Sequence, residues 1–341
     1  MNRWMGLGLW GLGLLGGTAF GSPDLGSSTT PAESLFPLSS DLGPITEDDL
    51  FESAQVSLQV VNVSTGEEVY SWGEDLPLTP ASTMKVLTSA TALKTLGGSH
   101  RYRTGLYRAE ELTSEGVIEG DLYVHGTGDP TLVMEKMWKL VYDLRLAGVR
   151  EIGGDLIFDD SYFDDRHLIE GWRKDVDMAQ GPAYFAPTGA LSLNYNTLCI
   201  VVSPGTAVGE EGRVQLEVPF ETVTFDNQLE TVSSSSRGWV RIEREVDESA
   251  GTAVYTVQGK VPMAEAPSRH YRAVHDPLSF YMSTLEHLLE LLHPKALQRP
   301  LFHALPAQAG SRGARRRQEG GRRPRLAPAR PGRFEEVAAH L

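Results

Sequence analysis

Apolar residues along this chain recur at two periods, and the switches between them divide it. From Ala54 to Trp72 they alternate, so Gln55-Val-Ser-Leu-Gln-Val-Val-Asn-Val63 and Glu68-Val-Tyr-Ser-Trp72 read as two strands. Ser64-Thr-Gly66 between them is hairpin chemistry. From Ser82 to Leu96 the step lengthens to three and four residues. Val86, Leu87, Ala90 and Leu93 supply an apolar side, and Gly97-Gly98 stops the helix. Residues 101–269 change to many short strands separated by Gly, Asp and Pro turns. Two segments there echo each other: Ile118-Glu-Gly-Asp-Leu-Tyr-Val124 and Ile152-Gly-Gly-Asp-Leu-Ile-Phe158, with a helix from Leu132 to Ala147 between them. One such repeat predicts a duplicated strand unit, not a solenoid. Asp276 to Leu292 returns to helical spacing through Leu278, Met282, Leu285, Leu288, Leu289 and Leu292.

The two ends follow neither period. Arg3, an uncharged Leu- and Gly-rich stretch from Met5 to Phe20, and Ala19-Phe20-Gly21 before Ser22 read as a secretory signal peptide over residues 1–21. The stretch is short for a membrane span, and an uncleaved anchor is the other reading. Residues 22–44 are rich in Ser, Thr and Pro and read as a linker. From Ala296 onward there are ten Arg, no Lys and three Glu, a net +7. The whole chain carries −14, so the remainder carries −21. An acidic, exported body has no electrostatic reason to bind nucleic acid or an anionic membrane. Residues 296–341 lack an apolar period and read as a disordered basic tail. Their Arg, Ala, Gly and Pro content is what GC-rich codons give in any frame, so we read the tail as out-of-frame translation. A basic interaction arm is the alternative.

Composition removes some chemistry and spacing supplies other. Cys199 is the only cysteine, so no internal disulfide forms, and its apolar run Thr197-Leu-Cys-Ile-Val-Val202 predicts a buried, inert thiol. Ser82 and Lys85 stand three positions apart at the start of a helix, which places them on one face with the amine in reach of the hydroxyl. Pro80 and Ala81 lead into the helix N-terminus, whose N–H groups and positive dipole end favour a developing oxyanion. Lys94 falls on the far side and reads as a solvated lysine. Asp159-Asp160-Ser-Tyr-Phe-Asp164-Asp165-Arg-His167 lacks the glycine and terminal glutamate of a calcium loop and reads as a solvated turn. His125 with Asp129 reads as a turn flanking a strand. Trp172 and Tyr184 read as packing anchors, with a glycan groove as the other possibility.

Four segments carry a resemblance: Pro80-Ala-Ser-Thr-Met-Lys85, Gly120-Asp-Leu-Tyr-Val-His-Gly-Thr-Gly-Asp-Pro130, Ala190-Leu-Ser-Leu-Asn-Tyr-Asn196 and His275-Asp-Pro277. From about Ile45 to Leu292 the chain resembles the D-alanyl-D-alanine carboxypeptidase/endopeptidase family of low-molecular-mass class C penicillin-binding proteins. The long insertion after the Ser82 helix separates it from the β-lactamases, which share Ser-x-x-Lys. The resemblance implies that Ser82 attacks the carbonyl between two terminal D-alanines of a peptidoglycan stem peptide and becomes the acyl-enzyme, while Lys85 takes its proton. A free lysine titrates near about 10.4, so such a base must be desolvated or held beside another cation. The family also uses a Ser-x-Asn and a Lys-Thr-Gly. Ser192-Leu-Asn194 has the first spacing but lies in the insertion, and Lys94-Thr-Leu96 is not the second.

The resemblance implies an α+β, β-lactamase/transpeptidase-like domain, incomplete here and interrupted by a large β-rich insertion. Its first part is expected over residues 45–99, the insertion over 100–269 and a return helix over 270–295. Peptidoglycan peptides and β-lactam antibiotics are the implied partners, with an exported, periplasmic or cell-envelope location. No cofactor and no metal is implied. A non-catalytic cell-wall binding or scaffold protein is the competing class.

Overall fold

The alternating stretches near the N-terminus pair as the pattern predicts. Strands β1 (Leu58–Val61) and β2 (Glu68–Trp72) run antiparallel, with Leu58 opposite Trp72. Asn62 Oδ1 accepts the backbone N–H groups of Ser64 and Thr65 at 3.0 and 3.3 Å, and Gly66 takes φ 75° to close the turn. The computed structural model describes residues 38–51, 53–168, 181–292, 302–305 and 335–340. It divides into two compact units, Met1–Gly97 and Gly98–Leu341. The expected signal peptide lies outside the described residues.

The first unit holds β1, β2 and two helices, α1 (Leu38–Thr46) and α2 (Met84–Leu96). Helix α1 takes in residues 38–44, the end of the stretch that reads as linker. At the end of α1 the Thr46 hydroxyl lies 2.8 Å from the Tyr70 hydroxyl on β2, which ties the helix to the hairpin.

The second unit begins with a five-stranded sheet ordered β14-β7-β5-β3-β15. These strands are β3 (Thr104–Arg108), β5 (Leu122–Gly126), β7 (Leu156–Asp159), β14 (Phe302–Leu305) and β15 (Glu335–His340). A short parallel pair, β4 (Val117–Ile118) with β6 (Glu151–Ile152), accompanies it. The echoing segments pair with each other: Ile118 lies opposite Ile152, and Leu122, Tyr123, Val124 and His125 lie opposite Leu156, Ile157, Phe158 and Asp159. Helix α3 (Met134–Leu146) is the crossover that a parallel pair requires. Strict alternation puts Leu106, Leu122, Val124, Leu156 and Phe158 on one buried face, and Tyr107, Tyr123, His125 and Asp159 on the other.

Helix α4 (Pro277–Leu292) differs from its expected place. Its stripe of Phe280, Tyr281, Leu285, Leu288 and Leu289 belongs to the same buried cluster as that sheet face, with Phe158 edge-on to Tyr281 at 6.3 Å. The return helix therefore packs in the second unit, because the apolar face of the duplicated sheet unit needs a cover. Asp276 caps it, accepting the Ser279 N–H and hydroxyl at 3.1 and 2.6 Å, and Pro277 follows the cap.

Two three-stranded sheets complete the unit. One is ordered β10-β12-β11, from β10 (Val223–Val232), β11 (Trp239–Asp247) and β12 (Thr252–Pro262). The other is ordered β13-β8-β9, from β8 (Thr197–Ser203), β9 (Arg213–Leu216) and β13 (Ser268–Ala273). Strand β13 runs across the expected boundary at residue 269. The described parts of residues 296–341 also depart from the disordered reading. Strand β14 pairs parallel with β7, β15 pairs antiparallel with β3, and Ala338 is buried. The two outer strands of a sheet expose rows of unpaired N–H and C=O groups that accept a strand of almost any composition. The Arg-rich run between β14 and β15 lies outside the described residues. Among the described residues no helix is long and apolar enough to cross a membrane.

Candidate active site

Helix α2 does not start abruptly. A short 3-10 turn, Ala81–Thr83, precedes it, with the Thr83 N–H donating to Pro80 O at 2.9 Å. Ala81 has φ 44°, a left-handed conformation that strains a residue with a Cβ by about 1–3 kcal/mol. The strain lies directly ahead of Ser82 and turns the chain from Pro80 into the helix. Ser82 and Lys85 then meet as their spacing predicts: Lys85 Nζ stands 2.8 Å from Ser82 Oγ. Both side chains are exposed, as are most residues of α2, including Val86 and Leu87. The helix ends at Gly97, where φ 81° suits only glycine and the N–H returns to Leu93 O at 3.0 Å.

Ser192 and Asn194 hold backbone in place. The Ser192 hydroxyl donates to Gly189 O at 2.9 Å and accepts from Asn196 Nδ2 at 3.0 Å. Asn194 Oδ1 accepts the Met134 N–H at 2.9 Å and so caps α3. Asn194, Tyr195 and Asn196 all have positive φ, at 49°, 58° and 52°. Three left-handed residues in a row persist because Asn196 is buried and fully engaged. Its amide donates to Pro187 O at 2.8 Å, and its Oδ1 accepts the Leu193 N–H at 3.2 Å.

The glycine-rich motif packs against this turn. A Cβ on Gly126 would stand 2.2 Å from Ala190 O, and the Gly128 N–H donates to that same oxygen at 2.9 Å. Asp129 is buried and accepts the Thr131 N–H and hydroxyl, both at 2.9 Å. Two of the four segments that carry the resemblance thus build one rigid corner of the second unit.

The acidic cluster after β7 divides its tasks. Burial pushes the Asp159 carboxyl up, but hydrogen bonds from His125 and Ser161 outweigh it and hold it down to about 2. His125 Nδ1 is 3.0 Å from Asp159 Oδ2. Burial raises Asp160 against the opposing bond from the Leu191 N–H at 2.6 Å. Asp164 is held below the ordinary carboxylate range by hydrogen bonds from Arg166. These carboxylates are engaged by donors of their own chain, and among the described residues no His, Cys, Asp and Glu gather as a metal site. Cys199 is buried on β8, where burial and then the Glu217 charge push its thiol up. Trp172 lies outside the described residues, and Tyr184 is exposed.

A model of the D-Ala-D-Ala carboxypeptidase 3 (S13) family matches residues 38–293. The chain belongs to that family. Among curated relatives, a D-alanyl-D-alanine carboxypeptidase of Actinomadura sp. is 33% identical over 272 residues, covering 78% of this chain and 50% of that protein. Another, from Haemophilus influenzae, is 25% identical over 175 residues, covering 51% of this chain and 36% of that protein. This S13-family chain therefore spans half or less of the length of these relatives. Penicillin-binding protein 4 of Haemophilus influenzae has a similar fold, with TM-score 0.60 at 20% identity over 83% of this chain and 55% of that one. The same protein in complex with a β-lactam gives TM-score 0.52 at 18% identity. The α+β class with a large β-rich insertion agrees with this likeness.

Proposed function

We propose that this chain carries the acylation pair of a serine-type D-Ala-D-Ala carboxypeptidase/endopeptidase, with Ser82 as nucleophile and Lys85 as base. The observation that supports it is the 2.8 Å approach of Lys85 Nζ to Ser82 Oγ at the entry of α2. The family description and the relatives' names favour the same reaction class. Ser82 Oγ attacks the carbonyl carbon of the penultimate D-alanine while Lys85 Nζ takes the hydroxyl proton. The resulting ammonium returns a proton to the departing D-alanine amine, and water then hydrolyses the ester. The positive end of α2 favours the oxyanion. A lysine acts as base only where water is kept from it or a second cation stands beside it. Both groups are exposed in the described structure, so turnover requires substrate to exclude water from them.

Peptidoglycan stem peptides are the proposed substrates and β-lactams the proposed acylating inhibitors. An exported, periplasmic or envelope location fits both. The exposure of the pair favours a second reading, a non-catalytic cell-wall binding protein. Fluorescent penicillin separates them: the proposal expects covalent label on Ser82, none in Ser82→Ala, and acylation slowed about 10²–10⁴-fold in Lys85→Ala. A folded chain that takes no label, or takes it equally in Ser82→Ala, refutes the catalytic reading.

A further inference from the structure

Three exposed tyrosines gather on one cleft of the second unit. Tyr184, Tyr195 and Tyr271 are 78%, 70% and 51% exposed. All three line a single depression of about 830 Å³. They come from three separate elements, each firmly anchored. Tyr184 belongs to a 3-10 turn, Ala183–Phe185, whose Phe185 is buried. Tyr271 sits on β13 directly opposite Cys199 of β8. Tyr195 projects from the middle of the left-handed turn, at φ 58°. Single exposed aromatics are ordinary on a surface. Convergence of three on one hollow, one of them held out by a strained backbone that buried bonds enforce, points to a ligand.

The lining restricts what that ligand is. Among the described residues it contains no Lys or Arg, while Glu135 and Glu217 both line the hollow. The Glu217 carboxylate is held by Arg269, whose Nε donates to Oε1 at 3.1 Å, and by a hydrogen bond with the Cys199 thiol. This charge pattern disfavours nucleotides, phosphates and acidic polymers. Thr197, Leu198 and Cys199 of β8 line the hollow; all three pair with β13, and on the other side the Cys199 C=O accepts the Glu217 N–H at 3.0 Å. That leaves an added peptide strand few free backbone groups on this stretch of β8 to pair with. What remains is a neutral molecule with one flat apolar face and a rim of hydroxyls, the description of a pyranose ring. Tyrosine faces stack on its C–H surface, and carboxylates accept its O–H groups.

We infer that this cleft binds a neutral oligosaccharide of N-acetylated pyranoses, stacked on Tyr184, Tyr195 and Tyr271. The choice of N-acetylated sugars rests on the cell-wall reading proposed above; the cleft itself does not. Such a site gives the second unit a hold of its own on the glycan strand.

Chitotetraose is the probe, titrated calorimetrically into the full-length chain. Saturable binding is expected, weakened at least about tenfold in Tyr195→Gly and in Tyr184→Ala. Glycine suits the left-handed backbone, so Tyr195→Gly keeps or raises the thermal unfolding temperature, and its lost affinity is not a folding defect. No saturation at millimolar sugar overturns the inference. So does a Tyr195→Gly affinity equal to that of the parent, or Tyr195-dependent binding of a stem pentapeptide in place of chitotetraose. Penicillin labelling read on the same samples keeps the two proposals apart. Label without sugar binding refutes this inference alone, and sugar binding without label refutes the acylation proposal alone.

Discussion

Asp159 is a single carboxyl under opposing influences, and the outcome sets an acid limit on the second unit. Its carboxyl is held at about 2 in the folded chain against an ordinary 3.8. A depressed folded value contributes stability that is complete above the unfolded pKa and disappears as pH falls through the folded one. Asp159 therefore contributes about 2 kcal/mol at neutral pH, lost between about pH 4 and pH 2. Urea unfolding of the parent and Asp159→Asn across this range should show curves that are separated at pH 7 and converge near pH 2. A constant separation would mean that the carboxyl acts by shape alone. The pair behind this effect was not legible in the sequence, where His125 reads with nearby Asp129. The true partner is 34 residues away and is delivered by strand register. Ser192-Leu-Asn194 shows the reverse case. Its spacing is visible at once, but only the structure assigns Asn194 to the cap of α3.

Helices carry an analogous ambiguity. The stripe on α4 tells which side is buried, and Leu278 through Leu292 were readable as a helix to within a residue. A stripe does not name what it packs against. The structure gives α4 to the sheet unit, with Leu285 fully buried among Phe158, Leu140 and Val141 in one cluster. Leu285→Ala should cost about 2–5 kcal/mol in chemical denaturation, with the near-ultraviolet signal of the second unit reporting the shift. A loss under about 0.5 kcal/mol, the level of ordinary surface changes, would show that this helix is not structural there. Helix α2 has similar periodicity, yet Val86, Leu87 and Leu93 are exposed. Pattern alone does not distinguish the two helices. The Ser82–Lys85 spacing at the entry of α2 was legible because a helix fixes it locally. The tyrosine cleft was not, because its members come from three elements joined only by tertiary packing.

Across the whole molecule, the division at Gly97–Gly98 predicts where the chain is vulnerable. All residues of the large buried cluster lie in the second unit, and exposed Arg101 closely follows the boundary. Limited trypsin digestion of the full chain should cut at Arg101 and leave a resistant fragment that includes β3 through α4. A digest that trims that fragment and spares residues 54–96 would contradict the assignment of stability. The duplicated unit inside this fragment has a kinetic consequence. Six residue pairs, from Val117 with Glu151 to His125 with Asp159, share one sequence separation. One loop closure brings them all into range, and α3 shortens that loop as it forms. The entropy of closing it is met once and returned over every rung. Slow long-range pairing, the usual burden of parallel strands, is thereby reduced to a single early event, after which both halves of the repeat zip together.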